Sequence, residues 1–298
     1  MTRNADRSTA SASPRSSPPC RTSTCTPACA VVATSRLRSA TRARARARAL
    51  WSLRSARWVL GLGVLMLIGL AVQSSLDTYD NWPDFGPQER SHYDPMSEAL
   101  SGAGVALLMI GAGTLGALTI VGEYASGLIR TTFTAVPARH RVVLAKAFVV
   151  AAVMLAVGMA VSFTTFVVSQ AILSGRDIGI SLGEPGVPGV LAANAALAPV
   201  SALVGMGVGA LLRHTALSVV SACGVLVVLP GFFKPPVRQW ANELFGYFPY
   251  YGWRSCLSQL HPQEAAALPS AAEAWTGFML WPPLAVALTL VVVRRRDV

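Results

Sequence analysis

Residues 147–175 read AFVVAAVMLAVGMAVSFTTFVVSQAILSG, a run without a single charged side chain. A helix crossing ~30 Å of hydrocarbon needs about 20 residues at ~1.5 Å each, so this run is long enough to span a bilayer. It lacks the polar–apolar alternation of a barrel strand, and in lipid only a helix satisfies every backbone N–H and C=O of such a segment. Working outward, uncharged runs of similar length lie at about 58–76, 99–122, 188–212, 215–233 and 274–293. The predicted fold class is therefore an all-α polytopic membrane protein with six transmembrane helices.

Composition agrees. The chain has 298 residues, of which 53% are hydrophobic and 13% charged. Soluble domains carry about a quarter charged residues, so this chain lacks the polar surface to cover a globule of its size. The formal net charge of +11 is not a nucleic-acid-binding face. Residues 1–57 hold twelve Arg against Asp6 alone, whereas residues 58–298 balance thirteen basic with thirteen acidic groups. The charge is a tail, suited to anionic headgroups beside a first helix, and no nucleic-acid partner is expected. Cys20, Cys25 and Cys29 lie in that tail without paired spacing or a nearby His, so neither zinc nor a disulfide framework is implied. No metal and no cofactor is expected.

Orientation follows from the basic residues near the helix ends. Alternating sides gathers Arg54, Arg57, Arg130, Arg139, Arg141, Lys146, Arg213 and Arg294–Arg296 on one face of the membrane. Arg90, Arg176, Lys234, Arg238 and Arg254 fall on the other. Ten against five places both termini in the cytoplasm. The first apolar run exceeds a signal-peptide core of about 7–15 residues, so it is read as a retained helix.

Two units are expected. Residues 1–49 form a basic, low-complexity tail, rich in Ser, Thr, Pro and Arg and too poor in apolar side chains to pack. Residues 50–298 form the six-helix domain. Its opening, LWSLRSARW at 50–58, suits either an interfacial helix or simple anchorage by Trp and Arg. Ser201, Gly205 and Gly209 recur every four residues, as do Ala112 with Gly116 and Gly113 with Ala117. Such spacing lets helix backbones approach, within one subunit or across a dimer seam. Pro199 and Pro282–Pro283 should kink spans four and six. Gln170 and Asn194 are the strongly polar amides within spans, placed to line a path or to bond a neighbouring helix. The outer segment 234–273 is aromatic, with Trp240, Phe245, Tyr247, Phe248, Tyr250, Tyr251 and Trp253, and suits a re-entrant or interfacial hairpin.

The inner loop carries the functional signal. It reads GEYASGLIRTTFTAVPARHR over 122–141, with Lys146 beyond. A helix from Glu123 to Ala135 would be ~20 Å long. Glu123 would sit at its positive dipole end, and Glu123, Gly127 and Arg130 or Thr131 would share a face. Pro137 would stop it, and Arg139, Arg141 and Lys146 would gather at the entry to span three. The bland reading is a basic turn obeying the positive-inside bias.

This loop resembles that of the ABC-2 type permeases of bacterial ABC exporters, the actinobacterial branch above all, in its G-E-Y-x-S-G-x-I-R-T-T-x-x-x-x-P-x-R pattern. The segment before the first helix is similar too, although Ala49 and Leu50 replace the acid and neighbours usual there. The resemblance covers roughly 50–298. It implies a permease subunit in the plasma membrane, paired with a second copy or a paralogue and docking a cytoplasmic ABC ATPase subunit. The helix bearing Glu123, Gly127, Arg130, Thr131, Pro137 and Arg139 would receive the ATPase stroke. The chain itself has no G-x4-G-K-[ST] phosphate loop, so ATP would be handled by another polypeptide.

Other classes fit less well. An intramembrane enzyme would use Ser126 of YASG, but no span carries a His to activate it; His140 and His214 lie at helix ends. Ion-coupled carriers keep an ionisable residue in mid-membrane, and none is present. A non-transporting anchor or assembly protein explains the spans but not the inner loop.

Overall fold

The computed structural model describes residues 54–125, 139–232, 248–257 and 271–295. Six helices in it are long and apolar enough to cross a membrane, and no strand occurs among the described residues. The tail 1–49 lies outside the described residues. The 50–58 segment does so in part: from Arg54 onward it is already continuous with the first spanning helix.

The spanning helices are α1 (Arg54–Asn81), α4 (Gly102–Ala125), α5 (Arg139–Leu173), α6 (Val187–Leu212), α7 (Thr215–Cys223) with its continuation, and α10 (Ala271–Arg295). Between α1 and α4 lie two short outer helices, α2 (Pro87–His92) and α3 (Met96–Ala99). Span five is not uniform. A π-helical turn, Gly224–Val228, follows α7 and leads into α8 (Leu229–Phe232), which contains Pro230. Proline's ring would clash with the carbonyl four residues back, here Leu226; a wider turn at that point relieves the clash. Leu226 is fully buried and points at Gly113 of α4.

Helix α6 is the hub, packed against α4, α5 and α10. Its residues explain why. Ala193, Ala198, Ser201, Ala202, Gly205 and Gly209 are small and buried, so neighbouring backbones come close. A Cβ added at Gly205 would overlap the Gly113 carbonyl, and one at Gly116 the Ala202 carbonyl. Gly209 meets Ala117 in the same way. The four-residue repeats thus form an intramolecular seam between α4 and α6.

The prolines do not end their helices. Pro199 lies within α6, and Pro282 and Pro283 within α10. Pro199 leaves the Ala195 carbonyl without its usual helical donor. Gly158 of α5 packs against that carbonyl so tightly that a Cβ would overlap it.

Both polar amides serve packing. Gln170 donates to the Pro95 carbonyl at 3.2 Å and accepts from the Ile180 N–H at 2.8 Å, joining two outer connections. Asn194, fully buried in α6, accepts a hydrogen bond from the Trp253 indole. Trp253 belongs to α9 (Pro249–Leu257), the described part of the aromatic outer segment. Tyr251 and Trp253 are buried there, and α9 packs on α6 and α10. Outer-side acids divide: Glu98 is buried and accepts hydrogen bonds from Ser74 and Thr78 of α1, whereas Asp80 and Glu89 are exposed.

Candidate functional site

The C-terminal ends of α4 and α6 and the start of α5 converge beside the loop in which the sequence placed its functional signal. The residues of the expected coupling helix divide into three groups. Gly127, Arg130, Thr131 and Pro137 lie outside the described residues. Arg139 is the first residue of α5. Glu123 is in the last turn of α4, which corrects the expectation that it opens a helix at a positive dipole end. The apolar run of span two does not stop at Gly122; Glu123, Tyr124 and Ala125 continue its helix, so position 123 falls at the negative end instead.

Two cations answer that helix end. Lys146, in the second turn of α5, donates to the Thr119 carbonyl of α4. Arg213, in the tight turn between α6 and α7, places its guanidinium carbon 4.5 Å from the centre of the Tyr124 ring. Both positive groups lie where the macrodipole of α4 is negative, a favourable pairing. Arg139, Arg141 and Lys146 by contrast occupy positions in the first two turns of α5, toward its positive end. Helix electrostatics alone does not account for their placement.

Arg213 is unusual in its backbone as well. It caps α6 in the left-handed region, at φ 53° and ψ 8°, and its N–H bonds the Gly209 carbonyl at 3.1 Å. Glycine is the usual residue at such a cap. The Arg213 Nε and Nη2 are buried and make no hydrogen bond among the described residues, nor does the Tyr124 hydroxyl. His214 follows as N-cap of α7, its Nδ1 accepting from the Leu217 N–H at 3.5 Å. From sequence, Arg213 counted only toward orientation. The available signal was its isolation: it is the sole charge between the runs 188–212 and 215–233.

No group of His, Cys, Asp or Glu able to hold a metal occurs among the described residues. Here one helix end is held from two neighbours, by Lys146 at Thr119 and by Arg213 at Tyr124. Residues 51–298 match the sequence profile of the ABC-2 family transporter proteins. The chain belongs to that family. It is a permease subunit of an ABC transporter and a multi-pass membrane protein. Permeases of this family work with an ATPase subunit. No curated protein and no solved structure matches the chain.

Proposed function

We propose that this permease is the membrane-spanning half of an exporter in the plasma membrane, driven by ATP hydrolysed on a separate cytoplasmic subunit. It works as a pair, with a second copy or a paralogue, and keeps both termini in the cytoplasm. The inner loop 123–139 receives the ATPase stroke through Glu123, Gly127, Arg130, Thr131, Pro137 and Arg139. The observation that carries this reading is the convergence of Lys146 and Arg213 on the end of α4, next to the loop with the family-like motif. A loop that merely connected two spans would not need its first helix end anchored from two directions. Nucleotide binding on the partner would then bias a two-state permease between inward and outward forms.

The test is co-purification followed by coupling. Tagged permease expressed in its native host is expected to bring down an ATP-binding subunit in mild detergent. Glu123→Ala and Arg130→Ala are expected to lower permease-stimulated ATP hydrolysis while leaving expression near normal. Absence of any ATP-binding partner, or full coupling in both variants, would overturn the reading.

A further inference from the structure

We propose that Arg213 is a positioning residue for coupling: its stacking on Tyr124 ties the end of α4 to the turn between spans four and five. The inference rests on the permease reading above and adds a part that the loop motif does not contain.

Three independent features of Arg213 point the same way. Its backbone is left-handed, where an arginine is disfavoured and a glycine would relax the turn. Its Nε and Nη2 are buried without hydrogen-bond partners among the described residues, an arrangement that opposes folding unless something else holds the charge. Its guanidinium lies over the ring of Tyr124, one residue beyond Glu123 in the motif. Neither capping nor solubility calls for an arginine here. A cation–π contact at the negative end of a helix does, and it is strongest where water is excluded.

The mechanical consequence follows from what Arg213 is attached to. Arg213 caps α6, the hub helix, and α6 meets α4 through the Gly113–Gly205 and Ala117–Gly209 seam. Above Tyr124, therefore, α4 and α6 touch backbone to backbone; at Tyr124 they are joined by a side chain that spans the remaining gap. A push on the inner loop moves the end of α4, and the Arg213–Tyr124 contact passes it to α6 and to the start of span five. Lys146 makes the equivalent link to span three.

The test uses the full permease with its ATP-binding subunit in nanodiscs. ATP hydrolysis by the complex is compared with that of the free ATP-binding subunit. Arg213→Gly suits the left-handed backbone, so a residue acting only as a cap would tolerate it. The expected result is instead a roughly ten-fold loss of permease stimulation, with the complex still assembled. Tyr124→Leu is expected to give a similar loss, Tyr124→Phe almost none, and the double variant Arg213→Gly with Tyr124→Leu no more than either alone. If Arg213→Gly does not accumulate, Arg213→Gln, which keeps the aliphatic stem and a polar end but removes the charge and the guanidinium, carries the same comparison. Wild-type stimulation in the Arg213 variant would overturn the positioning role. Equal losses in Tyr124→Phe and Tyr124→Leu would overturn the ring contact. A wild-type permease that binds no ATP-binding subunit would instead overturn the function on which the inference rests.

Discussion

Gly205 of α6 lies directly against the carbonyl of Gly113 in α4, leaving no room for even one added carbon. In a bilayer the surrounding lipid is as apolar as the side chains, so helices gain little by hiding methyl groups from it. Close backbone approach and good packing hold them together instead. Gly205→Leu is therefore expected to cost about 1–3 kcal/mol or more through forced separation of the helices. Thermal unfolding in detergent, followed by the loss of the monodisperse peak, should show the drop. Gly111→Ala, on the same helix as Gly113 but with open space beside it, is expected to leave stability unchanged or slightly improved.

Trp253 donates its indole N–H to Asn194 in the interior. Trp253→Phe keeps an aromatic ring, though a smaller one, and strips the partner from a fully buried amide. The expected loss is about 1–2 kcal/mol, since an unpaired buried polar group forfeits its solvation. Asn194→Leu added to that variant should recover part of the loss. A double-mutant cycle on melting temperature measures the coupling, and simple additivity would contradict the pairing.

Glu98 collects the hydroxyls of Ser74 and Thr78. Glu98→Gln retains an acceptor and is expected to be mild. Glu98→Ala removes both acceptors and opens a gap under α1, with an expected loss of about 1–3 kcal/mol. Limited proteolysis of the outer loop 82–95 should then accelerate. Nearby Tyr93 has its phenol pushed up from the ordinary tyrosine range, by burial first and by the Glu98 carboxylate second. It should thus remain protonated through the whole range in which the protein is handled.

Membrane sidedness is open to direct labelling. In a background freed of its own cysteines, a cysteine at Gln88 or Asp177 is expected to react with an impermeant maleimide on intact cells. One at His214 should react only after permeabilisation. The opposite pattern would invert the orientation drawn from the ten inner and five outer basic residues.

Membrane residence and the six helices were legible because both depend on local composition. A charge-free run of sufficient length must be helical in lipid whatever surrounds it, as the 147–175 stretch illustrates. The glycine repeats were legible too, but as a pattern with two meanings. Only the packing showed that Gly205 faces Gly113 of its own chain rather than a second copy. The aromatic outer segment announced an interfacial or re-entrant piece, and Trp253 in α9 shows what that piece holds.

At the candidate site the division is sharper. The motif around Glu123 was readable because loop chemistry is written in consecutive residues. Arg213 was not, because its meaning depends on a ring 4.5 Å away and many residues earlier in the chain. By itself, then, the sequence determined that this permease belongs in a membrane and which six runs can span it, through short-range solvation and helix length. The tertiary structure alone decided which helices are neighbours. From that came the Gly113–Gly205 seam, the burial of Glu98 and the grip of Arg213 on Tyr124, since contact between distant segments is set by packing and not by any local run of residues.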